Sequence, residues 1–197
     1  MKRFTVINRI INKYDYKTYL EIGTRKNHTF NHINIEKTSV DPDPESGADY
    51  EMTSDEFFQK TYDDNEFDII FIDALHESPQ LYKDIMNSLR HLSKGGTIIC
   101  HDTNPVDFDS QVVPRIQKHW NGDVWKDIVN LRTQGFNLEI YTIDTDEGCT
   151  IIRMSSKMHP ILDITNCDLN YKNLEKNRKQ WLNLISVDEF INKLEDE

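Results

Sequence analysis

Cysteine, glycine, proline and positive charge are all scarce in this chain, and each shortage removes a class of answers. Cys100, Cys149 and Cys167 are the three cysteines, an odd number with no C-x-x-C pair. That argues against a disulfide framework and a zinc knuckle and predicts buried, reduced thiols. Seven glycines and six prolines in 197 residues exclude collagen-like repetition. Apolar runs are short, as in Ile69-Ile70-Phe71-Ile72, against the roughly 20 residues a bilayer requires, so no membrane partner is expected. Lysine and arginine number 23 against 34 acidic residues, a formal charge of −11. That field opposes a sequence-independent grip on phosphates, so no nucleic acid is expected, and a small-molecule or neutral-glycan partner is easier to accept.

What is present is enough for one sizeable core: 37% of the residues are hydrophobic and 10% aromatic, which fits a single domain. The opening stretch MKRFTVINRIINKY begins like a secretory leader with Lys2-Arg3, but Asn8, Arg9, Asn12 and Lys13 interrupt any apolar region. A cytoplasmic location is the expectation. Phe4, Ile7, Ile10, Ile11 and Tyr14 recur at helical spacing and predict a helix over 3–15. Thr18–Ile22 and Ser39-Val40 read as strand ends, closed by Gly23 and by the prolines of Asp41-Pro42-Asp43-Pro44.

Thr53-Ser54-Asp55-Glu56 is a capping box, with a further strand predicted just before it. Phe67–Ile72 has the continuous apolar character of a central parallel strand. A helix with Pro79 in its first turn and Leu81, Ile85, Leu89 and Leu92 on one face is predicted to stop at Gly95-Gly96. Thr97–Cys100 is the next strand, a helix carries Trp125, Ile128, Val129 and Leu131, and 138–143 with 150–152 forms an antiparallel hairpin. Ser186 to Glu189 is a second capping box.

Alternating strands and helices predict an open α/β sheet with helices on both faces. Ligands then sit beyond the carboxyl ends of the strands, where Gly23, Asp41, Asp73 and Asp102 all fall. Residues 1–159, with the first helix inside 1–17, form the domain. Residues 160–197 are too few for another, and are expected to dock on it as a helical tail that covers the site or pairs subunits into a homo-oligomer.

The loop Glu21-Ile22-Gly23-Thr24-Arg25-Lys26-Asn27 has one glycine where a dinucleotide fingerprint needs three, which disfavours an NAD(P)-dependent oxidoreductase. Asp41, 18 positions after Gly23, suits a ribose diol. A ribose-bearing ligand without a diphosphate is therefore implied, and S-adenosylmethionine meets that description, its ammonium within the reach of Glu21 and backbone carbonyls.

YLEIGT, SVDPDP, EMTSDEFF, FDIIFIDALHE and LSKGGTIICHDTNP, in that order and spacing, resemble the motifs of class I S-adenosylmethionine-dependent methyltransferases, nearest to the bacterial branch of small-molecule and sugar O-methyltransferases. The resemblance implies a Rossmann-like, mostly parallel seven-stranded sheet of order 3-2-1-4-5-7-6. It also implies Glu21, Gly23 and Thr24 around the methionine end, Asp41 on the ribose, Met52, Thr53 and Ser54 near the adenine, and Asp73 and Ala74 beneath the sulfonium. Asn27 stands where relatives commonly have a second glycine, and can adopt the same left-handed backbone. After the fourth strand the chain reads Asp73-Ala74-Leu75-His76, so one carboxylate of metal-dependent relatives is missing.

Methyl transfer needs alignment and a proton acceptor. Asp73 and Asp102, on adjacent strand ends, are candidate ligands for magnesium or manganese; without metal, His76 or His101 is the candidate base. A regular strand would send His101 and Asp102 to opposite faces unless the chain bends at Thr103. Plainer readings stand beside these. Asp41 can form an Asx-turn before Pro42, Asp73 and Asp102 can bond loop amides, and either histidine can be a loop residue. Trp120, Trp125 and Trp181 read as core or interface, and Asp146-Glu147-Gly148 as a turn. A methyltransferase-like module that binds the donor without turnover is the remaining alternative.

Overall fold

The computed structural model describes residues 1–61, 66–165 and 167–196. Helix α1 (Arg3–Tyr14) buries Val6, Ile7, Ile10 and Ile11 along one face and stops at Asp15 in the left-handed conformation. There follow β1 (Thr18–Ile22), β2 (Glu36–Val40), α2 (Ser54–Lys60), β3 (Phe67–Ile72), α3 (Ser78–Arg90), β4 (Leu92–Cys100) and α4 (Trp125–Thr133). The hairpin β5 (Leu138–Ile143) and β6 (Cys149–Met154) comes next, then α5 (Tyr171–Trp181), β7 (Leu184–Ile185) and α6 (Val187–Asp196). Among the described residues no helix is long and apolar enough to cross a membrane.

The strands form one sheet in the order β2-β1-β3-β4-β6-β5-β7. β1, β2, β3 and β4 pair in parallel, and β6 runs antiparallel to both β4 and β5. The expected class holds, with two differences. The strand expected just before Thr53 does not form: only Tyr50 bridges to Val40, and β2 is the edge. Pro42 and Pro44 cannot donate to a ladder, and the loop they open leaves one residue in register. The seventh strand instead comes from the tail, as β7 adds in parallel to β5.

Gly95-Gly96 also does a different job from the one expected, because α3 ends at Arg90 and both glycines lie in β4. There β4 steps from Leu92 to Thr97 while β3 steps from Phe67 to Ile69. Gly95 takes φ +84°, and a Cβ on Gly96 would stand 2.8 Å from the Asp68 carbonyl oxygen. Glycine permits this bulge, and the bulge restores register for the apolar rungs that follow.

Alternation along β3 and β4 separates two cores. Ile70, Ile72, Ile98 and Cys100 face α2 to α5, while Ile69, Phe71 and Ile99 face α1 and α6. Trp181 of the tail is buried, and its ring stacks 6.3 Å from that of Trp125. Both capping boxes form, Thr53 with Glu56 and Ser186 with Glu189. Register then sets the site: Ile22 lies beside Ile72 and Ile72 beside Cys100. The amides of Asp73 and His101 donate to Ile22 and Ile72, so the ladder continues one step past the strands and brings the following residues out on one level.

Trp181→Ala should lower the unfolding free energy by about 3–5 kcal/mol, the cost of a large core cavity. Urea denaturation measures it, and a loss near zero would show the tail to be dispensable to the core.

Candidate active site

At the end of β1, Gly23 adopts φ +87°, and a Cβ there would lie 2.3 Å from the Asp73 carbonyl oxygen. Only glycine lets the β1 and β3 loops touch. Just beyond it, Thr24 is buried with its hydroxyl unpartnered. Asn27 takes the left-handed conformation at φ 56°, and its amide nitrogen donates to the Ser46 carbonyl at 2.7 Å. Its buried Oδ1 has no partner. Two orphaned polar atoms beside one glycine suit a ligand bearing polar groups of its own, since unpaired buried groups are costly.

Glu21 is buried and accepts a hydrogen bond from the Tyr19 hydroxyl. Burial pushes its carboxyl up to about 8, with Asp73 adding to the rise. Asp41, at the end of β2, is also buried. Its Oδ2 accepts from the Arg25 amide at 2.6 Å and its Oδ1 from the Asp43 amide at 2.9 Å. The Asx-turn geometry is therefore present at the same carboxylate that the ribose reading uses. Thr53 spends its side chain on the α2 cap, and Ser54 accepts from the Gln80 amide at 3.3 Å. Ala74 packs, half-buried, against the core.

The second half of the site is a knot of carboxylates and imidazoles at the ends of β3 and β4. His101 and Asp102 both reach it, against the expectation for a regular strand. The bend lies at Asp102 itself, which takes φ 60°, rather than at Thr103. His101 Nδ1 stands 3.1 Å from Asp102 Oδ2 and 3.4 Å from Asp73 Oδ1. These are ion-pair distances; the ring N–H directions do not line up as hydrogen bonds. Burial works against a charged His101, but Asp73 and Asp102 outweigh it and hold the imidazolium up to about 10. His101 is thus a cation at neutral pH and not a free base.

His76 Nδ1 faces the Trp120 carbonyl oxygen at 3.0 Å, while Nε2 lies 3.3 Å from Asp73 Oδ1 and 3.2 Å from Asp102 Oδ2. Both nitrogens face acceptors, which favours the doubly protonated ring. Its pKa is accordingly raised, the two carboxylates overcoming burial. Asp73, despite burial, is held well below the usual carboxylate range by His101, His76 and Arg3.

Several contributors have no motif to betray them. Arg3 donates from Nη1 to Asp73 Oδ2 at 2.6 Å and from Nε to Asp146 Oδ2 at 3.0 Å. Asn121, fully buried, donates to Asp102 Oδ1 at 2.7 Å. Trp120 stacks on His76 with ring centres 5.3 Å apart. A Cβ on Gly122 would stand 1.7 Å from the His76 carbonyl oxygen, so this segment lies pressed on the cluster. Surface hollows bounded by Phe58 and His91, and by Leu131 and Ile161, share no residue with the site. Chemistry rather than concavity singles it out.

Asp73, His76 and Asp102 present donor atoms within 4.8 Å of one another, close enough to share one cation. The set as built does not fit a divalent ion, however, because Asp73 Oδ2 already holds the Arg3 guanidinium.

Glu21 supplies a pH signature. It keeps its proton to about pH 8 in the folded chain but releases it near 4.5 when unfolded. The folded state therefore binds the extra proton between those values, and stability falls as pH rises through that window. The slope from this group is at most about 1.4 kcal/mol per pH unit. Glu21→Gln removes it, so variant minus parent unfolding free energy should grow across the window in denaturant titrations; a constant difference would contradict the assignment.

The sequence model of a methyltransferase domain family matches residues 20–103. No curated protein sequence matches the chain. Among solved structures, a Staphylococcus aureus protein provisionally described as a caffeoyl-CoA O-methyltransferase superposes with a TM-score of 0.61 at 18% identity, over 79% of this chain and 85% of that one. The S-adenosylhomocysteine-bound methyltransferase PaMTH1 of Podospora anserina gives 0.57 at 18% identity, over 79% and 80%. TomG, the O-methyltransferase of tomaymycin synthesis in Streptomyces achromogenes, solved with S-adenosylmethionine, gives 0.56 at 12% identity, over 77% and 79%. At such identities the likeness establishes the fold. Domain match and sheet topology together place this chain in the class I methyltransferase fold, with its methyltransferase domain signature in residues 20–103.

Proposed function

We propose that the chain transfers the methyl group of S-adenosylmethionine to a hydroxyl of a small molecule or saccharide. The observation that carries this is the juxtaposition, across Gly23, of the unpartnered Thr24 and Asn27 oxygens with the proton-handling cluster of Asp73, His76 and Asp102. Neighbouring folds with that donor or its product bound lend further support.

In this reading Glu21, Gly23, Thr24 and Asn27 hold the amino-acid end, and Asp41 takes the ribose hydroxyls. Thr53 and Ser54 flank the adenine, and Asp73 and Ala74 lie beneath the sulfur. Ionised Glu21 gains an ammonium partner, which offsets the burial that otherwise keeps it protonated. S-adenosylmethionine supplies an activated methyl group; a bond from the acceptor oxygen to that carbon forms as the carbon–sulfur bond breaks, leaving a neutral thioether. The chain's own task is alignment and removal of the hydroxyl proton. His76 takes that proton in its neutral form, and Asp73 and Asp102, facing Nε2, stabilise the ring once it is doubly protonated. Trp120 forms an aromatic wall beside His76 for the acceptor.

The rival reading, donor binding without turnover, draws on one observation: Arg3 already occupies Asp73 where the sulfonium would lie. Calorimetry should register S-adenosylhomocysteine and give no signal with NAD(H), and Asp41→Ala should weaken the former by about tenfold or more. His76→Ala and Asp102→Ala should retain product affinity and lower turnover by about 10²–10⁴-fold. Affinity for NAD(H), or none for S-adenosylhomocysteine, would overturn the donor; unimpaired turnover in both variants would overturn the catalytic assignment.

A further inference from the structure

We propose that the Arg3 guanidinium takes, within this cluster, the place of a divalent cation, and that the Asp73–Asp102 site works without metal. Arg3 opens α1, and its residue is gripped three times. The backbone N–H donates to Asp146 Oδ2 at 2.8 Å, Nε donates to the same oxygen at 3.0 Å, and Nη1 donates to Asp73 Oδ2 at 2.6 Å. The planar fork thus ties the end of β3 to the β5–β6 turn, a span that suits guanidinium better than ammonium. Asp146 also meets the positive end of the α1 dipole.

The clamp is preorganised. Val6, Ile7, Ile10 and Ile11 seat α1 on the sheet, so apolar packing holds the helix that carries the guanidinium. The Arg3 side chain is 25% exposed and its two carboxylates 18% and 9%, and partial burial makes such pairs stronger than open surface bridges.

A divalent ion would need the Asp73 oxygens that are already committed. Oδ2 serves Arg3, and Oδ1 faces His76 at 3.3 Å and His101 at 3.4 Å. On Asp102, Oδ1 serves Asn121 and Oδ2 faces both imidazoles. An ion bound to these carboxylates would stand beside a fixed guanidinium, at a repulsion of contact range. Magnesium, which wants near-octahedral oxygen, is served worse still by a set containing an imidazole.

Manganese tests this, because its free-ion electron paramagnetic resonance signal falls on binding. The wild-type protein should leave that signal unchanged, and so should Arg3→Lys. Arg3→Gln should gain Mn2+ affinity by about tenfold or more, the scale expected on removing one like charge at contact distance, and Arg3→Gln combined with Asp73→Asn should lose it again. Wild-type binding of Mn2+ that Asp73→Asn abolishes would overturn the proposal, as would a folded Arg3→Gln, judged by circular dichroism, that gains nothing. The wild-type titration decides even if Arg3→Gln fails to fold. The readout is binding, so it is separable from the methyl-transfer reading.

Discussion

Parallel strands that end flush create an electrostatic problem, and the site is this chain's solution to it. Because β1, β3 and β4 share register, the residues that follow them emerge on one level. In a chain of net charge −11, many of the residues gathered there are acidic. A carboxylate withdrawn from water must be paired, hydrogen-bonded or protonated. All three answers are used. Glu21 is pushed toward its neutral form, Asp41 is wrapped by loop amides, Asp102 is shared between Asn121 and two imidazoles, and Asp73 takes Arg3.

These different answers divide the site into two chemically distinct halves. Around Gly23 the unpartnered atoms are neutral oxygens, and burial pushes the neighbouring Glu21 carboxyl up to about 8. Around Asp102 both carboxylate oxygens are committed, Oδ1 to the Asn121 amide and Oδ2 to the two imidazoles. The left-handed turn at Asp102 joins the halves of the second group: it rotates the carboxylate back toward His101 where a regular strand would have sent the two apart.

How much of this was legible in the sequence follows from the range over which each signal acts. The strands and helices around Gly23, Asp41, Asp73 and His101 were readable because a strand end, a proline pair or a capping box is encoded within a few residues. The Gly95-Gly96 stop was misread because the need for glycine came from Asp68 across the sheet, which local spacing does not reveal. The missing edge strand has the same character. Its place was set by what Tyr50 could reach, and the seventh strand came from residues 184–185, far along the chain. Arg3, Asn121 and Trp120 carry no motif at all: they arrive through α1 and the 103–121 segment, and only the folded geometry puts them against Asp73, Asp102 and His76.

That segment is where the chain departs from a bare sheet with loops. Asn121 reaches Asp102, the Trp120 carbonyl reaches His76, and Gly122 leaves room for no side chain against the His76 backbone. From the opposite side Arg178 of α5 donates to the Pro105 carbonyl at 2.7 Å, so the tail holds the start of the same segment. A segment pinned at both ends and packed on His76 cannot move without disturbing that side chain. On the proposed reading the acceptor lies against Trp120, and the tail, although distant in sequence, helps to hold that wall in place.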